Sequence, residues 1–134
     1  FKKTQNWEDA QLQLTSQPGL IVTQASKLDG EYTISGLHDP LAKSPHDAVN
    51  SDIASNLALK LNFKPYLSLE PEIILMRVKK ALLVPDSVNI SLKNETLYAS
   101  GEASQSWIKE FRLRAPLFAG IKMINLNQLM IKSE

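Results

Sequence analysis

Two histidine–aspartate pairs are the group of residues in this sequence that comes nearest to a metal-binding or catalytic site. His38–Asp39 and His46–Asp47 lie eight residues apart, and Asp52 follows the second pair. Imidazole and carboxylate groups together could bind a divalent metal ion. Each aspartate also has a local structural role, because Asp39 begins an Asp-Pro turn and Asp47 completes a helix-capping pattern. No HExxH-type ligand motif accompanies them, so the sequence predicts no metal site.

Other common catalytic and cofactor-binding motifs are missing. The chain has no cysteine, which excludes disulfides, thiol nucleophiles and thiolate metal ligands. Its serines lie in no G-x-S-x-G elbow, and neither G-x-x-x-x-G-K nor G-x-G-x-x-G occurs. The G-x-x-G loop of the RNA-binding KH fold is missing too. The sequence therefore predicts a protein that is not an enzyme, with no catalytic residue, no cofactor and no metal.

The composition is that of a folded protein without a strong charge bias. The 134 residues are 43% hydrophobic and 22% charged, and the formal net charge is +1. These values fit one ordinary domain or two very small ones, and they predict no nucleic-acid partner. A basic patch of Lys79, Lys80, Arg112 and Arg114 is one interpretation of the local charge, and scattered solvated charges are the simpler one.

The segment contains no sequence pattern for membrane insertion or export. No apolar run approaches the roughly 20 residues that span a bilayer, and no signal peptide is present. The chain begins with Phe1 rather than methionine. We therefore expect a fragment of a longer protein.

The second half of the chain has clear signals for a helix, a hairpin, another helix and a strand. Pro71 suits the first turn of a helix, Ile74 and Val78 supply its apolar face, and Pro85 ends it. Gly101 is expected to turn the chain sharply from the hairpin toward the next helix. The predicted elements are strands at 88–92 and 96–100, a helix capped by Ser104 or Ser106, and a strand at 121–131 with Ile124, Leu126 and Gln128 on one face.

The first half predicts the same order of elements with an insertion. A helix over residues 5–17 is capped by Asn6 and carries Glu8 and Asp9 in its first turn. The third strand is limited by Pro65, which cannot donate a ladder hydrogen bond. The other predicted elements are strands at 20–25 and 31–36 around a loop at 26–30, an inserted loop at 37–45, a helix at 46–59 and an extended segment from residue 60.

The shared order indicates one unit used twice. Aligning Gly36 with Gly101 gives an offset of 65 residues and places a strand–Ser–Gly ending in each hairpin. We then expect Tyr32 and Tyr98 at similar places and a longer loop in the first hairpin. The predicted fold class is α+β, with αββαβ units at 1–66 and 67–134. Each unit packs two helices on one face of a three-stranded mixed sheet.

Three stretches of the second half carry the pattern of a known family: "VNISLKNETLYASGEAS", "WIKEFRLRAPLFAG" and "IKMINLNQL". With their strand–Ser–Gly ending and Gly-hydrophobic step into the last strand, they resemble a BON domain. The first half matches through "PGLIVTQASKLDGEYTISG" and departs at the inserted loop. The order of "DPLA", "PYLSLEP" and the second unit is also similar to the region before the peptidoglycan-binding domain of some bacterial OmpA-family envelope proteins.

The resemblance implies a non-enzymatic module in the periplasm or cell envelope. Such a module contacts protein or phospholipid and positions a neighbouring domain, which would bind peptidoglycan in the OmpA-family case. Its partners would be other envelope proteins or other domains of the same longer chain. Gly36 and Gly101 are then residues of the fold motif and not of a binding site. The alternative function is a ring- or oligomer-forming domain of a secretion or envelope assembly.

Trp7, Trp107 and Lys109 are the candidate surface contacts. A tryptophan near a helix start and beside lysines could dock at a membrane interface. The competing interpretation is that the ring packs over the hairpin and joins the core. We favour the core position for Trp107. For Trp7, membrane docking and core packing both stay open.

Overall fold

The computed structural model describes residues 2–132, which form two compact units that divide between Ser68 and Leu69. Each unit has its own three-stranded sheet. In both sheets the second strand pairs antiparallel with the first and parallel with the third. The prediction of an α+β chain with two tandem units and mixed three-stranded sheets is therefore confirmed.

The first unit covers one face of its sheet with helices. Its elements are α1 Lys2–Thr15, β1 Leu20–Leu28, β2 Glu31–His38, α2 Pro45–Ala48, α3 Ser51–Leu57 and β3 Lys60–Pro65. Its buried core is formed by Ala10, Leu14, Leu20, Tyr32, Ile34, Val49 and Leu57.

The second unit has the same arrangement. Its elements are α4 Pro71–Ala81, β4 Val88–Lys93, β5 Thr96–Ala103, α5 Gln105–Arg114, a 3-10 helix at Ala115–Leu117, and β6 Met123–Ile131. The largest side chains of its core are Phe111, Ile74, Leu97 and Val78.

The predicted cap at Asn6 is wrong. Helix α1 begins at Lys2, and Asn6 is buried within it. The four-residue spacing of Asn6, Ala10 and Leu14 places all three on the face that meets the core. Burial of this face determines the helix start and overrides the preference of asparagine for a capping position.

The helix predicted over 46–59 is interrupted. Asn50 starts a new helix, because its Oδ1 accepts hydrogen bonds from the N–H groups of Asp52 at 2.9 Å and Ile53 at 3.3 Å. The Asn50 N–H donates to Oε1 of Gln13 in α1 at 2.8 Å. This long-range bond stabilises a break that the helical periodicity does not predict.

Both hairpins close through two-residue turns. Asp29 and Gly30 have φ values of 51° and 78°, and Asn94 and Glu95 have values of 51° and 63°. Positive φ at both central residues is the pattern of a type I′ turn, which matches the twist of paired strands. The predicted loop at 26–30 is therefore wrong, since β1 continues to Leu28.

The extra length of the first hairpin lies in a strand and not in its turn. Val22 pairs with Gly36 and Gln24 pairs with the adjacent Ser35, so Thr23 is an additional residue in β1. This is a β-bulge, which inserts one residue without changing the turn.

Gly36 and Gly101 each lie close to a backbone carbonyl of the neighbouring chain segment, Ile21 in β1 and Ser87 just before β4. A Cβ atom on Gly36 would lie 1.9 Å from the carbonyl oxygen of Ile21, and one on Gly101 would lie 2.0 Å from that of Ser87. Neither residue turns the chain, because β2 runs on to His38 and β5 to Ala103. The predicted sharp turn at Gly101 is thus an in-strand glycine with a φ of 112°.

The predicted equivalence of Tyr32 and Tyr98 is wrong. Tyr32 is buried in the core of the first unit, whereas Tyr98 lies on the solvent side of its sheet. The offset of 65 that aligns the glycines places Leu97, rather than Tyr98, at the position of Tyr32. Because strand side chains alternate between faces, this one-residue difference exchanges a core position for an exposed one.

We expect Glu95→Gly to raise the free energy of unfolding by about 0.5–1 kcal/mol. Glycine adopts the positive φ of Glu95 without the steric cost that a side chain adds. Urea denaturation measures the change. Glu95→Gln is the control, because it removes the exposed 3.4 Å ion pair with Lys122 and keeps the backbone strain. Equal stability of Glu95→Gly and Glu95→Gln would contradict the prediction.

Candidate functional site

Asp39, the first aspartate of the two histidine–aspartate pairs, is a buried structural residue. Its Oδ1 accepts a hydrogen bond from the N–H of Leu41 at 2.9 Å, and its Oδ2 accepts one from the N–H of Ser68 at 2.7 Å. Its carbonyl accepts from the N–H of Ala42 at 2.9 Å, which closes a turn around Pro40. The carboxylate therefore joins this turn to the last residue of the first unit.

The second pair lies at a short helix. The Oγ of Ser44 accepts a hydrogen bond from the Asp47 N–H at 3.1 Å, so the predicted serine cap is present and the Asp47 side chain is exposed. His38 and His46 line one cleft of about 470 Å³. Within residues 2–132, no three histidine, cysteine, aspartate or glutamate side chains come together as a metal site.

Trp107 packs against the core of the second unit. Its indole N–H donates to the carbonyl of Leu82 at 2.8 Å, and its ring lies 4.8 Å from that of Phe111. The backbone N–H of Trp107 donates to the Oγ of Ser104 at 3.2 Å, which makes Ser104 the N-terminal cap of α5. The ring also forms part of a cleft of about 310 Å³.

Trp7 has a similar inward position in the first unit. It packs against the core and its ring centroid lies 5.1 Å from that of Tyr32. Lys109, in contrast, is exposed on α5 and lines an open cleft with Lys132. Within the second unit, Trp107 and Lys109 thus line different clefts.

One exposed ion pair joins β2 to β3. The Lys60 Nζ lies 2.9 Å from Oε1 of Glu31. The hydrogen bond from Lys60, reinforced by its positive charge, lowers the pKa of Glu31 below its usual value. Because both side chains are exposed to solvent, this pair has a small effect on stability.

The sheet edges differ in how strongly they discourage further pairing. Exposed edges are commonly protected by lysine, proline, short length or a bulge. Strand β1 carries Lys27 and a bulge, β3 carries lysines and Pro65, and the six-residue β4 ends in Lys93. The nine residues of β6, "MINLNQLMI", contain neither charge nor proline, and a bulge is the one protective feature that they share with β1.

Strand β6 also exposes large apolar side chains. Met123, Met130 and Ile131 are 66%, 65% and 61% exposed. Among residues 2–132, β6 pairs with β5 on one side and with no strand on the other. Its outer edge is therefore the best candidate interaction site in the described chain.

A bulge divides β6 into two parts. Tyr98 pairs with Asn125, and Ser100 pairs with Gln128, so β6 has one more residue than β5 over this interval. The Asn127 N–H donates to Oδ1 of Asn125 at 3.0 Å. The prediction that Gln128 shares the face of Ile124 and Leu126 is therefore wrong, because the bulge reverses the alternation of faces.

The apolar pattern of residues 121–131 predicts the strand but does not indicate that its outer edge is the candidate site. The available signal was the run of nine uncharged residues between Lys122 and Lys132. Its meaning depends on the strand order, because the same run in the centre of a sheet would be ordinary core.

Comparison with known proteins identifies no family. No protein-family model matches the chain, and no curated protein matches it. Within residues 2–132, none of the helices combines the length and apolar character needed to cross a membrane.

Some solved structures are similar at a low level. Two are of CdsD, a structural protein of the type III secretion system of Chlamydia trachomatis, at 15% identity and TM-scores of 0.40 and 0.39. They match 96% and 97% of this chain, which spans 63% and 67% of theirs. A crystal structure of APE1850 has 13% identity and a TM-score of 0.26, with 98% of both chains covered. At TM-scores below 0.5, these structures define neither the fold nor the function of this chain.

Proposed function

We propose that this chain is a non-enzymatic interaction module of a bacterial envelope or secretion assembly, and that the outer edge of β6 binds protein. The two units would position a neighbouring domain of the longer protein, in line with the BON and OmpA-family resemblance of the sequence. The observation that carries the proposal is the outer edge of β6, which is uncharged, exposes Met123, Met130 and Ile131, and pairs with no strand among residues 2–132.

Strand addition supplies the physical basis of this function. An extended segment that joins a sheet edge gains a ladder of backbone hydrogen bonds, and pockets for alternate side chains give specificity. Lysines and Pro65 restrict such pairing at β3, which has the same place in the first unit. The β6 edge has no such residue within the strand. This difference supports a protein contact at the second unit rather than the first.

Contact with lipid is the second candidate. Leu83, Leu113 and Leu117 are 80%, 63% and 82% exposed in the second unit. Lys80 and Arg112 are also exposed on its helices. Exposed leucines and exposed cations in the same unit are residue types that suit the surface of an anionic membrane. This observation favours a phospholipid contact through the helical segments of the second unit and the turn after α4.

We expect site-specific photo-crosslinking in cells to link β6 to protein. A benzophenone amino acid at Met130 should give discrete adducts with envelope or secretion proteins, including further copies of this chain. The same benzophenone amino acid at Leu12, which is 66% exposed on α1, should give far fewer protein adducts. Mass spectrometry of the adducts identifies what is bound.

Vesicle flotation separates the two candidates. Binding of the purified chain to phosphatidylglycerol vesicles, without a β6-specific adduct in cells, would replace the protein function with the lipid function. Equal crosslinking at Met130 and Leu12 would also overturn the assignment to β6.

A further inference from the structure

We infer that β6 pairs with β6 of a second copy of this chain, antiparallel about a two-fold axis at Met130. The two sheets of the second units would then join into one six-stranded sheet. This inference rests on the proposed function of the β6 edge and names its partner. The two faces of β6, its bulge and the flanking lysines support it.

The faces of β6 restrict how two copies can pair. Leu129 and Ile131 pair with Gly101 and Ala103 and lie on the helix-covered face, whereas Gln128 and Met130 lie on the open face. If both copies keep their helices on the same side of the joined sheet, residues on one face must oppose residues on the same face.

Pairing along the whole strand fails this condition. Centring the axis at Asn127 would oppose Met123, on the open face, to Ile131 of the other copy, on the helix face. The bulge causes this mismatch, because it reverses the alternation between the two halves. The same register would also place Lys122 against Lys132 of the other copy, and like charges directly opposite are unfavourable.

Centring the axis at Met130 meets both conditions. The Met130 side chains of the two copies then oppose each other on the open face. Leu129 of each copy opposes Ile131 of the other copy on the helix face. Lys132 faces Gln128, so no like charges are opposed. The ladder runs from Gln128 to Lys132 and avoids the bulge. It covers Met130 and Ile131, two of the most exposed apolar side chains of the strand.

The size of the contact predicts a weak dimer. A ladder of about five residues buries much less than the roughly 1,200 Å² of a stable standard interface. We therefore expect a concentration-dependent dimer in dilute solution. A larger assembly, in which copies are held close together, would strengthen it through a high effective concentration.

The absence of cysteine from the sequence permits a sharp test. Met130→Cys and Met123→Cys each introduce one thiol on β6, at positions that are 65% and 66% exposed. Opposed Cα atoms in an antiparallel pair lie about 4.5–5.5 Å apart, within the range of a disulfide. With oxidised glutathione, we expect the Met130→Cys dimer to form at least tenfold faster than the Met123→Cys dimer on non-reducing gels.

Sedimentation velocity of the unmodified chain gives an independent readout. A reversible shift toward twice the monomer mass supports the inference, and Met130→Lys should abolish it by opposing two lysines at the axis. Equal rates of disulfide formation would overturn the inference, as would a series of masses beyond the dimer, which indicates head-to-tail pairing. If self-pairing fails but Met130 crosslinks to another protein in cells, the proposed function stands. If both fail, both are overturned.

Discussion

Alanine at Gly36 is expected to lower the free energy of unfolding of the first unit by 3 kcal/mol or more, or to prevent folding. The added Cβ would lie 1.9 Å from the carbonyl oxygen of Ile21 and 2.7 Å from the ring of Phe63. A backbone carbonyl in a paired strand cannot move away cheaply, so the strands must separate. Costs of about 4 kcal/mol are exceptional for one substitution and reflect a specific mechanism such as this overlap.

Alanine at Gly101 should be at least as harmful to the second unit. Its Cβ would lie 2.0 Å from the carbonyl oxygen of Ser87, and its φ of 112° is unfavourable for any side chain. Two separate costs therefore act at Gly101.

The two tryptophans allow the unfolding of each unit to be measured separately by fluorescence. Trp7 lies in the first unit and Trp107 in the second, so replacing one by phenylalanine leaves fluorescence from the other. Urea denaturation in these backgrounds measures each effect. Gly30→Ala is the matched control, because Gly30 has a φ of 78° but no atom within 4 Å of an added Cβ. We expect it to cost about 1 kcal/mol. A similar loss for Gly30→Ala and Gly36→Ala would contradict the overlap argument.

The order of elements was predictable because each depends on local patterns. Pro71 marks the start of α4, and alternation of Val88, Ile90 and Leu92 marks β4. The repeat of this order in the first half predicted two sheets of the same kind. These signals depend on residues a few positions apart, which a single sequence displays directly.

The register of the sheets was not predictable in the same way. The bulges at Thr23 and Asn127 depend on which strands pair and on how each sheet twists. The break at Asn50 depends on a bond from Gln13, which is 37 residues earlier in the chain. One missed feature did have a local signal, since the Asp29–Gly30 pair is typical of a two-residue turn.

The candidate site depends on the same long-range information. β3 and β6 have the same position in their sheets, next to the central strand and parallel to it. In β3 the exposed edge carries Lys60, Lys64 and Pro65, whereas β6 carries none of these residue types. The two units therefore share a fold but differ in the property that decides whether an edge can accept another strand.

Replacing Asp39 by alanine is the second substitution with a large expected effect, a loss of about 3 kcal/mol in the free energy of unfolding of the first unit. The Asp39 carboxylate accepts from the N–H groups of Leu41 and Ser68, and both Asp39 and Ser68 are only 1% exposed. Without the carboxylate these donors lose this acceptor, and water has little access to Ser68. Each buried donor that loses its acceptor costs about 1–3 kcal/mol.

Asp39→Asn separates this structural role from metal binding. Asparagine keeps one carbonyl oxygen but presents an NH₂ group to the second N–H donor, so we expect an intermediate loss of about 1–2 kcal/mol. Asp47→Ala is the matched control, since the Asp47 side chain is exposed and its backbone N–H supplies the capping bond. Urea denaturation followed by Trp7 fluorescence measures all three variants. If zinc raised the stability of the unmodified chain and Asp39→Ala removed that increase, the metal interpretation would replace the structural one, because a hydrogen-bonding carboxylate stabilises the fold equally with and without added metal.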